Sequence, residues 1–214
     1  MSEVSTRDSR FDRSALECPA VELAPALLGC VLVRTLDDGA RLVGRIVETE
    51  AYAGPHDQAA HTRNGHRSTR NEVMWGRAGL CYVYFTYGMH HCMNVVCGGV
   101  DVPEAVLVRA LEPLEGLESI RVNRVGTKPR KHPLRDRDLC SGPARLCQAF
   151  RIDRSLNGAD LLHPGPLVLE PARERVLPDR IVNTTRIGID SAGPEWAGKR
   201  WRWYDSGSAH TSRR

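Results

Sequence analysis

The tripeptide Asp37-Asp38-Gly39 stands between two runs of strand character, Cys30 to Leu36 and Arg41 to Glu50. A glycine after two aspartates supplies the turn that joins antiparallel strands by a short loop. The chain is thereby committed near its start to a hairpin. The pattern recurs further on. Leu80 to Thr86 is a β-prone run, Tyr87-Gly88-Met89-His90 a turn and His91 to Val96 a second strand. Glu104 to Leu111 is another strand, and Leu167 to Leu169, Ile181 to Ile189 and Trp201 to Tyr204 are shorter candidates. Helical character appears in Val21 to Cys30, with Pro25 early and Gly29 near its end, and in Leu114 to Arg124 through Leu114, Leu117 and Ile120. Ser141-Gly142-Pro143 opens a third helix running to about Phe150, with Ser141 as its N-cap. Strands and helices mix without a βαβ rhythm. The expected fold is therefore α+β: one compact domain with a curved mixed or antiparallel β-sheet, flanking helices and a protruding β-hairpin. That domain is expected over residues 14–207. Residues 1–13 and 208–214 are expected to be disordered, and 121–137 to form a mobile basic loop.

The 214 residues are 41% hydrophobic and 26% charged, enough for one full core. No apolar run approaches the roughly 20 residues of a membrane span, and Met1 to Arg13 lacks the apolar centre of a secretory signal. A cytoplasmic protein is expected, nucleoid-associated in a bacterium or nuclear in a eukaryote. The seven cysteines are odd in number and contain no C-x-x-C pair. This argues against a disulfide framework or a zinc–thiolate site and for a reducing compartment. Cys81, Cys92, Cys140 and Cys147 sit in apolar patterns and read as buried small hydrophobes. Net charge is +4, and all but three of the 30 basic residues are arginine. Arginine recognises phosphate through a planar fork; a GC-rich genome gives the same bias. The charge permits a nucleic-acid partner without establishing one.

Polar chemistry concentrates between Val47 and Asn94. Glu48 and Glu50 lie two apart on a strand and share a face. They form either an acid/base pair whose crowding splits the two pKa values or a solvated edge. His61 lies in the long polar stretch Ala53 to Gly79, where loops of this length tend to carry function; it is a proton shuttle or base contact, or a surface histidine. Tyr82 and Tyr84 share a face and, with Tyr52, form an aromatic cluster suited to a flat base or to a sheet core. Tyr87 sits on the Gly88 turn and projects away from the sheet, as a wedge between bases would. Asn94 ends an apolar run, where a buried amide can read a substrate's polar edge. Arg109, a charge inside Val106-Leu107-Val108-Arg109-Ala110, calls for a buried partner in Glu50 or Glu48. His90-His91-Cys92 has neither the spacing nor the geometry of a metal site. Together these residues suggest a slot walled by tyrosines, floored by a carboxylate and entered beside a hairpin.

At these residues the sequence resembles the alkyladenine DNA glycosylase family, the mammalian-type 3-methyladenine DNA glycosylases. The resemblance is carried by Val43 to Tyr52, Ala59-Ala60-His61, Tyr82-Val83-Tyr84, Tyr87-Gly88-Met89, Cys92-Met93-Asn94, Val108 to Leu117 and Gly142-Pro143. Arg186 to Ile189 and Gly193 to Ala197 extend it, and it covers roughly residues 15 to 207. It implies a monofunctional glycosylase acting on double-stranded DNA containing damaged purines. No cofactor is expected, the ligand spacing of a metal site is missing, and nothing in the sequence suggests more than a monomer. The damaged base is flipped out and its N-glycosidic bond hydrolysed. By this resemblance Glu50 activates water and Arg109 holds that water and the carboxylate. Tyr52, His61 and Tyr84, with a main-chain group near Ala59, bind the flipped base, and Asn94 excludes guanine. Tyr87 intercalates, with Met89 and His90 beside it; His90 stands where family members often carry an aromatic. None of the three lysines lies in the motif stretch, so no lyase activity is expected. The competing reading is a non-catalytic binder of damaged nucleic acid on the same scaffold.

Overall fold

The longest strand organises the sheet. The computed structural model describes residues 11–126, 132–172 and 174–213. In chain order these form α1 (Ala20–Ala26), β1 (Val31–Thr35), β2 (Arg41–Tyr52), β3 (Cys81–Thr86), β4 (His90–Cys97), β5 (Glu104–Glu115), α2 (Leu117–Val125), α3 (Pro143–Ala149), β6 (Leu167–Glu170), β7 (Ile181–Thr184), α4 (Pro194–Gly198) and β8 (Arg202–Asp205). The sheet runs β3-β4-β5-β2-β1-β6, every pairing antiparallel. One edge of β2 pairs β5. The other pairs β1 up to Arg45 and then β8 at Glu48–Glu50. β2 thus bridges both parts of the sheet, and Glu48 and Glu50 lie in its middle.

Paired irregularities between β2 and β5 set the faces. From Ile46 to Glu48, two steps along β2 match one along β5; from Glu48 to Thr49, one step matches the two from Ala110 to Val108. Val47 and Arg109 are the extra residues. Such bulges re-aim side chains and recur beside active sites. Before them the core face of β2 carries Leu42 and Ile46; after them it carries Ala51, opposite Val106 and Val108 on β5. Glu50, Tyr52, Leu107 and Arg109 are thereby turned to the face away from the main core.

That core lies between the sheet and the helices. It joins Leu23 and Ala24 of α1, Ile120 of α2, and Leu146, Cys147 and Phe150 at α3 to the strands. Gly44 permits the close approach: a Cβ there would stand 2.8 Å from the Phe150 ring. Burying a ring of this size contributes on the order of 2–3 kcal/mol. All seven cysteines are free, and six of them, including Cys81, Cys92, Cys140 and Cys147, are buried, as their apolar surroundings implied.

Several expectations are corrected. Leu114 belongs to β5 and is exposed, because β5 continues to pair β2 as far as Glu115. The chain then turns at Gly116 (φ +75°), where a Cβ would meet Arg41 O at 2.6 Å. Ser141 is not the N-cap of α3. It bridges Ala110, and Gly142 (φ 139°) takes the cap position. The strand foreseen over Ile181 to Ile189 stops at Thr184. Residues 208–213, foreseen as disordered, fold back on the sheet: Ser208 is buried and donates to Glu112, and Ser212 reaches Glu48. Of the basic stretch 121–137, Arg121 to Val125 are helical and Asp136–Asp138 form a 3-10 turn, while 127–131 lie outside the described residues.

Candidate active site

Glu50 is fully buried, and each of its oxygens is held. Oε1 accepts from the Ile187 N–H at 2.7 Å and lies 3.1 Å from an Arg109 guanidinium nitrogen. Oε2 accepts from the Tyr52 hydroxyl at 3.0 Å. Burial pushes the Glu50 carboxyl above the usual carboxylate range, against the pull of Arg109, the Ile187 N–H and the Tyr52 hydroxyl. Burial and the Glu50 charge together hold the Tyr52 hydroxyl well above its ordinary pKa, so it serves as donor.

In front of Glu50 opens a cavity of about 340 Å³, lined by Tyr52, His61, Tyr84, Asn94, Arg109 and Ile187 among others. The carboxylate stands one layer behind this lining rather than forming the floor itself. Tyr84 packs 4.5 Å from the His61 ring and 5.6 Å from the Tyr82 ring, centroid to centroid. His61 Nδ1 lies 2.8 Å from the Tyr82 hydroxyl. Burial, with Arg70 and Arg63 nearby, lowers the His61 pKa to about 4, so the ring is neutral at physiological pH. Arg63 and Arg70 belong to a second cleft that adjoins the cavity at His61. Asn94 Nδ2 donates to Tyr82 O at 3.1 Å, which fixes the amide against the wall. Ala59 lines the cavity, but its N–H is engaged by Asp57 Oδ1 at 3.0 Å.

Tyr87 stands at the rim of the same cavity and is 82% exposed. Both Tyr87 (φ 51°) and Gly88 (φ 66°) take left-handed conformations, and Met89 N–H closes the turn on Thr86 O at 3.3 Å. A bulky residue held at positive φ is strained by roughly 1 kcal/mol. Met89 is 70% exposed beside it, and His90 is exposed on the adjoining strand.

Tyr52, His61, Tyr84, Asn94 and Arg109, expected in one pocket, line it together, and Glu50 stands directly behind them. Asp57 was not foreseen, although Arg186 and Ile187 belong to a segment that carries the family resemblance. The Arg186 side chain is completely buried and forks onto Asp57, with one bond at 2.9 Å, and also donates to Ala51 O at 3.0 Å. Its guanidinium lies between the Tyr52 and Trp201 rings, 4.9 and 5.0 Å from their centroids. This pair ties the loop that carries His61 to the segment that carries Ile187. β7 ends at Thr184, two residues before Arg186 turns inward to make it. Among the described residues no group of three or more His, Cys, Asp or Glu side chains converges on a possible metal position.

The family model for methylpurine-DNA glycosylase matches residues 14–209. The mouse DNA-3-methyladenine glycosylase is 49% identical over 99% of this chain and 63% of its own length, so the chain spans just under two thirds of that relative. The human DNA-3-methyladenine glycosylase is 48% identical over 95% of this chain and 68% of its own length. A Clostridium botulinum relative is 42% identical, covering 95% of this chain and 99% of that protein. The chain belongs to the methylpurine-DNA glycosylase family.

Proposed function

We propose that this protein is a monofunctional DNA repair glycosylase that hydrolyses the N-glycosidic bond of alkylated or deaminated purines in duplex DNA. The observation that carries the reading is the buried Glu50 carboxylate, held by Arg109, Tyr52 and the Ile187 N–H directly behind an aromatic-lined cavity. The names of the mouse and human relatives point to the same reaction on 3-methyladenine.

The chemistry follows from the residues. A base inside the duplex stack is out of reach, and a damaged base is extruded more easily. Exposed Tyr87, with Met89 and His90 beside it, is placed to fill the gap a flipped base leaves. The base enters between Tyr52, His61 and Tyr84, whose π-faces favour a cationic alkylated purine. Neutral His61 and the Ala59 segment meet its polar edge, and Asn94 clashes with the exocyclic amine of guanine. A water held by Arg109 and Glu50 attacks C1′. The new bond is O–C1′, and the C1′–N bond breaks with its electron pair passing to the purine. Glu50 takes the proton, and its charge stabilises the oxocarbenium-like transition state. The product is an abasic site. Among the described residues no lysine lines the cavity to form a Schiff base, which suits a reaction that leaves the sugar–phosphate backbone intact. Arg63 and Arg70 in the adjoining cleft suit phosphates of the lesion strand. A non-catalytic binder would gain nothing from a buried anion facing a polyanion.

The test is release of free base from duplexes that each carry one defined lesion: 3-methyladenine, 7-methylguanine, hypoxanthine or ethenoadenine. Free base is expected, least readily from 7-methylguanine, whose exocyclic amine meets Asn94, with strand breaks only after alkali and unchanged activity after chelation. Binding without release from any of the four would favour the non-catalytic reading instead.

A further inference from the structure

Glu48 is completely buried and does not line the cavity, yet it meets four donor groups where Glu50 meets three. Its Oε1 accepts from Arg109 Nε at 3.0 Å, from an Arg202 guanidinium nitrogen at 2.9 Å and from the Ser212 hydroxyl at 2.9 Å. Its Oε2 accepts from the Ser212 N–H at 2.6 Å. Arg109 therefore has its Nε on Glu48 and another nitrogen on Glu50. Arg202 is anchored in turn, by Nε to Thr185 O at 2.8 Å and by a terminal nitrogen to Arg213 O at 3.1 Å. Two carboxylates and two guanidiniums thus balance inside the protein, and of the four only Arg109 reaches the cavity. Buried charge clusters are weak sources of stability, because desolvation offsets the attraction. What such a cluster does supply is a fixed direction for each member.

We infer that Glu48 and Ser212 are positioning residues for base excision: the 208–213 segment clamps Glu48, and Glu48 aims Arg109 at Glu50. The inference rests on the proposed glycosylase reading and extends the machinery to a segment 164 residues from Glu48 in sequence. Ser212 supplies both an N–H and an O–H, so it fixes the plane of the Glu48 carboxylate as well as its position. The segment is itself pinned, since Ser208 Oγ donates to Glu112 at 3.2 Å and accepts from His210 N–H at 3.2 Å. Glu48 also acts through charge. It shares the Arg109 cation with Glu50 and raises the Glu50 pKa by repulsion. Without it, the whole Arg109 charge would fall on Glu50.

The test compares wild type with Ser212→Ala, Ser212→Thr and Glu48→Gln. It uses single-turnover excision across pH, lesion-duplex affinity, thermal melting, and infrared titration of the Glu50 carboxyl assigned with Glu50→Gln. Displacing a positioned group by about 1 Å costs up to about 100-fold in rate. Ser212→Ala is expected to lose about tenfold and Glu48→Gln about 100-fold, with affinity little changed and Ser212→Thr restored to wild-type rate. In Glu48→Gln the acid limb and the Glu50 infrared midpoint should both move to lower pH. Unmoved titration in folded Glu48→Gln, or rate losses that only track loss of folded protein, would overturn the inference. If wild type releases no base, the glycosylase reading fails on its own. The infrared midpoints would still decide whether Glu48 and Ser212 govern Glu50.

Discussion

The main-chain N–H of Ile187 donates to Glu50 Oε1 at 2.7 Å, joining residues 137 apart in the sequence. A backbone donor cannot be titrated away, so it holds the carboxylate in one orientation at any pH at which the fold survives. Its pull and that of Arg109 do not overcome burial, which raises the Glu50 pKa. The water-activating role proposed for Glu50 needs the ionised form, so activity should fall as pH drops through this raised pKa. The acid limb of a single-turnover pH profile is expected above the ordinary value of 4.5. A limb below that value would show that the ion pair outweighs burial.

His61 makes the opposite contribution to stability. Its folded pKa of about 4 lies below the usual 6.5, so between these values the unfolded chain takes up a proton that the folded one refuses. Stability from this group is present above pH 6.5 and is lost as pH falls toward 4. A shift of this size corresponds to roughly 3–4 kcal/mol at most. Urea melts at pH 7 and pH 4.5 should show a smaller acid loss in His61→Gln than in wild type. Equal losses would place the His61 ring in water.

These two sites differ in how far the sequence revealed them. Glu50, Tyr52, Tyr84, Asn94 and Arg109 carry distinctive side chains on strands whose alternation fixes their face, and the resemblance named their roles. The Asp37-Asp38-Gly39 and Tyr87-Gly88 turns were equally plain, because positive φ leaves a mark in glycine. The Ile187 N–H leaves no mark, since every residue but proline offers one. The Asp57–Arg186 pair and the Ser212 clamp join segments more than 120 residues apart, and no local period encodes them. Helical spacing misled at Leu114, where pairing of β5 with β2 prevails. A local cap signal misled at Ser141, which a bridge to Ala110 draws away.

The Asp57–Arg186 pair makes a stability prediction of its own. Both side chains are fully buried, so removing one charge strands the other. Asp57→Asn should destabilise by about 3–5 kcal/mol, measured by urea unfolding. It should also slow excision at temperatures where the variant is still folded, because the His61 loop and Ile187 lose their common anchor. A loss below about 1 kcal/mol would mean that the pair is solvated in solution.

Tyr87 is expected to separate stability from function. At φ 51° a glycine is favoured over tyrosine by about 1 kcal/mol, so Tyr87→Gly should melt no lower than wild type. The same variant should bind a lesion in a paired duplex more weakly, with less effect when the lesion is unpaired and nothing need be wedged apart. Identical losses on the two substrates would remove the wedge role.

Glu50→Gln tests the central claim most directly. The amide keeps the size of the side chain, and its oxygen can still accept from the Ile187 N–H while its NH2 donates to the Tyr52 oxygen, but it cannot take a proton from water. Single-turnover release of base from a 3-methyladenine or hypoxanthine duplex should fall by at least about 1000-fold, while affinity for that duplex stays close to wild type. Excision by Glu50→Gln at the wild-type rate would contradict the account.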